Sequence, residues 1–359
     1  MLRYFVNKLL YAFVTLLGVI TVIFFLFTIL PGDPAKMMLG QNQTAEQVEA
    51  VKKKYGFDKP LGTQYLYYLN DLSPISLHST KTVGHYTSLD ADKYTYSKLF
   101  STGKIAVVIK YPYLRESFTK QGKKVTKVIG ETIPNTFVLA VSAILIAIVF
   151  GLVFGVLSAL YKDTWIDKTI QILSTLGMSL PSFFSAILFA WLFGFVLHKY
   201  TNLEMTGSLY ELDDLGEKMT IKWKNLILPA VVLGIRPLAV VIQLMRNSLL
   251  EVMNQDYIRT ARAKGLSEFQ VIKNHAVKNA LNPVVTAISG WFASMLAGAV
   301  FVEYIFGWNG LGKEIVNALN TLDLPVIMGA VLVIAIVFIT INIFVDVIYA
   351  WLDPRVKLS

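Results

Sequence analysis

The sequence predicts an all-α integral membrane protein with six transmembrane helices and a large extracytoplasmic insertion after the first of them. Three observations carry this. Of 359 residues, 55% are hydrophobic and 16% charged, against about 25% charged in soluble domains, and the mean hydropathy is +0.55. Six apolar runs lie at 9–30, 134–160, 170–197, 226–250, 283–306 and 326–352, and crossing roughly 30 Å of hydrocarbon takes about 20 helical residues. Basic residues also cluster in alternate short connections. Arg3, Lys8, Lys162, Lys168, Arg259, Arg262, Lys264, Lys273, Lys278, Arg355 and Lys357 fall on one side, with Lys199, Lys218, Lys222, Lys224 and Lys313 on the other. This bias predicts both termini in the cytosol. The net charge of +9 is scattered between apolar runs and gathers on no soluble face, which speaks against nucleic acid.

The first run has the basic flank of a signal peptide, but its apolar stretch is too long and lacks a small-residue cleavage site, so residues 1–30 read as a retained span. Pro31, Gly32 and Pro34 stop it. Residues 31–132 form an extracytoplasmic cap. Within it Thr44, followed by Glu46, Val48, Val51 and Tyr55, predicts a short amphipathic helix ended by Gly56. The stretch 73–128, with "KIAVVIKYPYL", reads as one or two strands. With no cysteine in the chain, the cap holds together by packing. It reads equally as a receiver for a soluble partner or as an insertion that covers the spans.

Residues 133–352 read as a five-span core and 353–359 as a cytosolic tail. Gly151 and Gly155 in the second span are a small-xxx-small pair that lets helices approach closely. The third span carries Ser179, Pro181 and Ser182 in "LGMSLPSFFSA", and the fourth carries Arg236-Pro237 and Gln243. A proline inside a span frees a carbonyl, and an arginine at membrane depth costs about 2.5–3.5 kcal/mol on insertion scales unless it faces protein or water. Ser179, Pro181, Ser182, Arg236 and Gln243 are therefore candidates for a translocation path; the alternative for Arg236 is satisfaction by helix-end carbonyls. Glu303 and Asp346 are the only acids within these runs, too few for an ion relay, and no inverted repeat is evident.

The string "GWNGLGKE", 307–314, comes one residue short of a phosphate-cradling loop. Glu314 replaces the magnesium-binding hydroxyl, no strand precedes the string, and the topology puts it outside. It reads as a turn into a short helix beginning near Lys313. Among other chemistries, His78, His85, His198 and His275 are dispersed, with no His-Glu-x-x-His or Gly-x-Ser-x-Gly pattern. No catalytic or metal residue is assigned.

The longest inner connection is "EVMNQDYIRTARAKGLSEFQVIKNHAVKNALNPV", 251–284. Tyr257–Lys264 predicts a short helix stopped by Gly265, after which Ser267 caps a second helix with Phe269, Ile272, Ala276 and Ala280 on one face. Either lipid or a protein partner has to cover that face.

These residues resemble the glutamate-alanine-alanine loop of permease subunits in bacterial ATP-binding-cassette importers. The motif positions fall on Arg259, Thr260, Ala261 and Gly265, and the later ones on His275, Val277 and Lys278, with proline at Pro283. "DYIRTARAKGLSE" is similar to the variant of the oligopeptide, dipeptide and nickel branch. "LLGVITVIFFLFTILPGDPA", "SLPSFFSAI", "VFVEYIFGWNGLGKEIVNAL" and "NIFVDVIYAWLDPR" extend the likeness over most of the chain outside 73–128, nearest to the first of two oligopeptide permease subunits.

The resemblance implies a type I importer permease fold in the bacterial cytoplasmic (inner) membrane and alternating access for peptides, with nickel or glutathione as alternative cargoes and a stand-alone secondary carrier as a remoter reading. It implies a second homologous permease, two ATPase subunits that bind ATP and Mg, and an extracytoplasmic substrate-binding lipoprotein, with no cofactor on this chain. Residues 251–282 would be the coupling loop, through Arg259, Thr260, Ala261, Arg262, Lys264, Gly265, Leu266, Ser267, Phe269, Ile272 and His275. Arg259, Arg262 and Lys264 would pair with acidic rims on an ATPase or face anionic lipid as topology determinants.

Overall fold

The computed structural model describes residues 2–29, 33–39, 43–80, 87–90, 93–103, 105–120, 122–213 and 216–352. Pro31, Gly32 and the 353–359 tail lie outside them. In chain order the elements are α1 (Leu2–Ile29), α2 (Pro34–Leu39), α3 (Ala45–Tyr55), α4 (Leu61–Leu72), β1 (Ile75–Ser79), β2 (Tyr96–Thr102), β3 (Ile105–Lys110) and α5 (Val125–Leu160). Then come α6 (Trp165–Ser179), α7 (Ser182–Phe189), a wide-turn segment Ala190–Val196, α8 (His198–Thr201), β4 (Tyr210–Leu212), β5 (Met219–Ile221) and α9 (Lys224–Met253). The remainder is α10 (Asp256–Ala263), α11 (Glu268–Val271), a second wide turn Ile272–Ala276, α12 (Val277–Ala280), α13 (Asn282–Gly298), α14 (Val300–Ile305), α15 (Leu311–Asn320) and α16 (Leu324–Leu352).

All six apolar runs are helical, but two are broken. Four stretches, Val6–Thr28, Val125–Leu160, Lys224–Met253 and Leu324–Val345, are each long and apolar enough to cross a membrane. The third run bends by 109° between Trp165–Ser179 and Ser182–Val196, and the fifth by 56° between Asn282–Leu296 and Val300–Phe306. The first break follows from Pro181, which has no N–H to donate; Leu180 before it sits at φ −78°, ψ 133°, outside the helical region. α5 starts nine residues ahead of the expected 134, running through Pro134. Packing overrides the breaker here: Val125, Val128 and Ile129 are buried, and Gly329 leaves room for Val125 Cγ1, which a Cβ there would meet at 2.6 Å.

The chain divides into two compact units. One comprises Leu10–Glu131 and Ile315–Ala335. Its α3 has the expected cap: Gln47 N–H donates to Thr44 Oγ1 at 3.3 Å, the Gln47 side chain accepts from Thr44 N–H, and Gly56 closes the helix at φ 72°. The aromatic helix α4 was not evident from the sequence; it packs Tyr65 and Tyr68 on Phe24 at 5.2 and 5.6 Å. The strands form an antiparallel sheet of order β1-β3-β2, pairing Leu77 with Val107 and Val107 with Phe100.

Two buried carboxylates tie segments of this unit together, as a disulfide would. Asp71, 1% exposed, accepts from Tyr94 Oη at 2.9 Å and Arg115 Nε at 3.1 Å. Its carbonyl takes the Tyr113 N–H at 2.9 Å and the Lys110 ammonium. Asp323, also 1% exposed, takes the N–H groups of Phe118 (3.0 Å) and Thr119 (3.3 Å) and the hydroxyls of Thr119 and Ser117.

The second unit comprises Met1–Leu9, Thr132–Glu314 and Ile336–Ser359. α9 runs through its middle, with α6, α7, α12, α13 and α14 packed on it. Gly151 and Gly155 behave as expected: a Cβ on either would meet Val241 Cγ1 at 2.6 Å or Met245 Cβ at 2.7 Å. A two-stranded β4-β5 hairpin, not foreseen in the sequence, joins α8 to α9.

Burial pushes the Lys110 ammonium down to about 8, against the opposing charge of Asp71. An unfolded lysine holds its proton to about 10.4, so between these values the unfolded state binds more protons and stability rises with pH. The apparent Tm of the purified protein, followed through cap tryptic resistance, is expected to rise from about pH 7.5 to about 9.5 relative to a Lys110→Met variant. Asp323→Ala, which orphans buried donors, is expected to cost about 2–4 kcal/mol in the same assay.

Candidate functional site

The 251–284 connection folds as a compact helical turn on the end of the bundle. α10 stops at Ala263, and Gly265 reverses the chain at φ 80°, a conformation a Cβ disfavours. Ser267 then opens α11 with a reciprocal capping box: Gln270 N–H donates to Ser267 Oγ at 3.4 Å, and Ser267 N–H to Gln270 Oε1 at 3.1 Å. Across the turn Arg262 grips Glu268 with two bonds, Nε to Oε1 at 2.8 Å and Nη2 to Oε2 at 3.3 Å. Both groups are solvated, so the pair fixes an angle more than it adds stability. Arg259 leans on Asp256 at 3.5 Å.

The buried face differs from the one the spacing predicted. Val271, Ala276, Ala280 and Val284 are buried with Ile258 and Ala261 of α10, against Val241, Met245 and Leu249 of α9 and Ala159 of α5. Phe269, expected on the same face as Ala276, is 71% exposed and Ile272 half-buried. The wide turn over Ile272–Ala276 is the reason: its i→i+5 bonds shift the phase, so that Val271 and Ala276, five apart, share a face. The chain's own helices therefore cover the apolar stripe that lipid or a partner was expected to cover. What remains outward is Phe269, with Lys273 Nζ 5.8 Å from its ring centre, and the exposed Arg259, Thr260, Arg262, Lys264, Gly265 and Ser267. Leu266 is half-buried against the core cluster. His275 is half-buried, its carbonyl accepting from Asn279 Nδ2 at 2.9 Å. Asn279 also donates to Tyr257 Oη at 3.1 Å, tying α12 to α10.

The path candidates lie on α6, α7 and α9. α6 and α9 meet at Gly177, where a Cβ would stand 2.8 Å from Ile235 Cγ2. Ser179 is exposed, its hydroxyl donating to the Thr175 carbonyl at 2.8 Å; Pro181 is exposed at the break and Ser182 opens α7. Arg236 is exposed and makes no hydrogen bond or ion pair among the described residues, so the helix-end carbonyls do not hold it. Gln243 is half-buried on the same side of α9.

One buried site escaped the sequence reading. Because α6 begins at Trp165, five residues ahead of the expected span, Asp167 lies in its first turn and joins the acids within spans. It takes a two-pronged bond from Arg246 of α9, Nε to Oδ1 at 2.8 Å and Nη2 to Oδ2 at 2.7 Å, and accepts from Ser158 Oγ at 2.5 Å and Asp163 N–H at 3.0 Å. The signal available was Arg246 itself, a cation inside an apolar run that needs a partner.

The "GWNGLGKE" segment forms a closed loop whose anion site is filled from within. Glu303, fully buried, accepts the N–H groups of Gly312 at 2.7 Å and Lys313 at 3.2 Å with Oε2, at the start of α15. A helix N-terminus favours an anion, and here the protein supplies it; a Cβ on Gly310 would overlap that carboxylate. Lys313 Nζ folds back onto the Gly307 carbonyl (2.9 Å) and Asn309 Oδ1 (2.8 Å). Trp308, fully buried, donates Nε1–H to the Asn135 carbonyl at 3.0 Å. α15 starts at Leu311, two residues before the expected Lys313.

This arrangement can be set beside known proteins. Residues 151–358, more than half the chain, match the family described as binding-protein-dependent transport system inner membrane component, and residues 1–87 match its N-terminal counterpart. The chain belongs to this family. The permease is 34% identical over 361 residues to a putative peptide permease protein of Brucella suis biovar 1, covering all of both chains. It is 32% identical to the dipeptide transport system permease protein DppB of Alkalihalophilus pseudofirmus, over 99% of this chain and 100% of that one. The glutathione transport system permease protein of Pectobacterium atrosepticum is also 32% identical, over 99% of both. The permease is thus a multi-pass inner-membrane transport component, and its helical architecture is consistent with the type I importer permease fold.

Removing one member of the Asp167–Arg246 pair is expected to cost about 3–5 kcal/mol, because the other is left charged and enclosed. Asp167→Ala should lose most folded protein in detergent size-exclusion chromatography, whereas an Asp167→Leu/Arg246→Leu double variant should recover a good part of it.

Proposed function

We propose that the permease carries peptides inward across the cytoplasmic membrane, as one pore-forming subunit of an ATP-driven importer, with both termini in the cytosol. Its partners in this reading are a second homologous permease, two ATPase subunits that bind ATP and Mg, and an extracytoplasmic substrate-binding lipoprotein. The observation that carries it is the turn over 256–280: a rigidly capped helical knob, anchored on α9 and α5, presenting an exposed phenylalanine within a basic rim. Such a knob suits a groove on a protein partner better than a lipid surface, because its two exposed aromatics, Phe269 and the partly exposed Tyr257, bury little area in a bilayer. Peptide as cargo rests on the names of the relatives, two of which are peptide or dipeptide permeases. Glutathione is the second reading, favoured only by the glutathione permease among them.

In this mechanism, closure of the ATPases on ATP pushes the 256–280 knob. Because Ile258, Ala261, Val271 and Ala276 share one core with Met245 and Leu249, the push is carried into α9. Pro229 and Pro237 within α9, and the breaks at Leu180–Pro181 and Ala299, are the points at which helices can tilt in parts. Two packings of this bundle, one open outward and one inward, are what both the cargo and ATP would bias. Lys264 adds charge complementary to an acidic rim, and Arg259 and Arg262 can do so by exchanging Asp256 and Glu268 for acids of the partner.

The chain has no cysteine, so a single reporter is available. Lys273→Cys, clear of the Ser267 cap, is expected to label only from the cytosolic side and to crosslink to an ATPase subunit with a yield that changes with ATP. Labelling from outside would overturn the topology; cytosolic labelling without an ATPase crosslink in an intact complex would overturn the coupling role. Gly265→Val should strain the turn by about 1–2 kcal/mol and lower uptake more than it lowers the amount of assembled importer.

A further inference from the structure

Among the residues whose side chains are described, Arg236 is an ionised group of the inner part of the bundle that makes no hydrogen bond or ion pair. Asp167 and Arg246, by contrast, hold each other, and Glu303 accepts the N–H groups of Gly312 and Lys313. Arg236 lies twelve residues into the thirty-residue α9, about 18 Å from its start and near its midpoint. Half of a roughly 30 Å hydrocarbon layer is more than an arginine stem spans, so the guanidinium does not reach either surface. It is nevertheless exposed, while its neighbours Pro237 and Ala239 are buried. Two turns further on, on the same side of the helix, Gln243 also makes no hydrogen bond among the described residues. α6 meets α9 at the Gly177–Ile235 contact, one residue before Arg236, and the exposed Ser179 and the break at Pro181 follow in the chain. Unsatisfied donors at this depth face water or a ligand, since hydrocarbon satisfies neither.

We propose that Arg236 forms a carboxylate-binding subsite midway along the translocation path, which receives the C-terminal carboxylate of a peptide in transit. The guanidinium presents five N–H donors in a planar fork that matches a carboxylate in two parallel bonds. A terminal carboxylate is the feature that unmodified linear peptides share whatever their side chains, so a single arginine serves a mixed cargo. Gln243, with an amide that both donates and accepts, is placed two turns away to meet backbone groups of the same peptide. This inference rests on the peptide-path reading above and adds to it the chemistry of one position.

The test uses the intact importer in proteoliposomes, with Val240→Cys as the sole thiol, one turn from Arg236 on the same side of α9. Its reaction is timed with an anionic and a cationic thiosulfonate of similar size. The expected result is a roughly tenfold preference for the anionic reagent, retained in Arg236→Lys and lost in Arg236→Gln. A short peptide with a free carboxylate should slow the reaction, and its C-terminal amide should not. No reaction with either reagent overturns the path reading and this inference with it. Reaction at equal rates, a preference that Arg236→Gln leaves unchanged, or equal protection by acid and amide overturns this inference alone. A preference that appears only in zwitterionic lipid and vanishes in anionic lipid assigns the guanidinium to a phospholipid headgroup, and also overturns it.

Discussion

Hydrocarbon satisfies no hydrogen bond, and this constraint organises the whole of the bundle. A departure from a plain apolar helix needs an internal partner, and at two places the chain supplies one. The fork of Arg246 on Asp167 fastens α6 to α9 and takes in Ser158 of α5, so three spans meet on one carboxylate. The seat of Glu303 at the start of α15 does the same for the loop after the fifth span. The backbone that the breaks at Pro181 and Ala299 leave unpaired is confined to a few residues, flanked at once by further helix. A long sheet edge or an open loop at that depth would have no such remedy.

The same constraint explains why the middle of the bundle is close-packed at glycines. Gly151, Gly155 and Gly234 lie where neighbouring helices leave no room for a methyl group, Gly234 having the Ala143 carbonyl 2.8 Å from where its Cβ would be. Lipid gives helices no hydrophobic reason to associate, so contact area gained by close approach is what holds them. A consequence is that α9 lies tight against α5 at the levels of Ala143, Gly151 and Gly155, and Leu249 shares a core with Ala159. In the proposed mechanism this packing links the 256–280 knob to the level of Arg236 through one helix.

Outside the spans the solution is different. The cap has water on hand and no disulfide, yet it uses buried charge: Asp71 gathers α4, β3 and the segment after it, and Asp323 pins residues 117–119 to the start of α16. The Asp323 carboxylate takes two backbone N–H groups and two hydroxyls, and the Asp71 carboxylate a tyrosine hydroxyl and a guanidinium N–H. One acceptor-rich side chain meets several such donors at once. The result is a small mixed unit in a chain that is elsewhere helical but for the β4-β5 hairpin.

The sequence by itself determined that six apolar runs are helical, with bounds off by up to nine residues, and it located the helix α3, the strand near Ile105–Lys110, and the turn at Gly265 with its Ser267 cap. These rest on signals within a few residues: apolar run length, a hydroxyl three residues ahead of a glutamine, a glycine where φ is positive. The α4 helix and the β4-β5 hairpin were not legible, because their stabilising neighbours lie elsewhere in the chain. Only the tertiary structure decided that Phe269 faces outward, since one wide turn rephases the helix by an amount no spacing rule contains. It alone paired Asp167 with Arg246, 79 residues apart, and put Glu303 into the anion seat that "GWNGLGKE" advertises. Local chemistry fixes which elements form; which of their polar groups meet depends on how distant helices pack, and that is what left Arg236 alone.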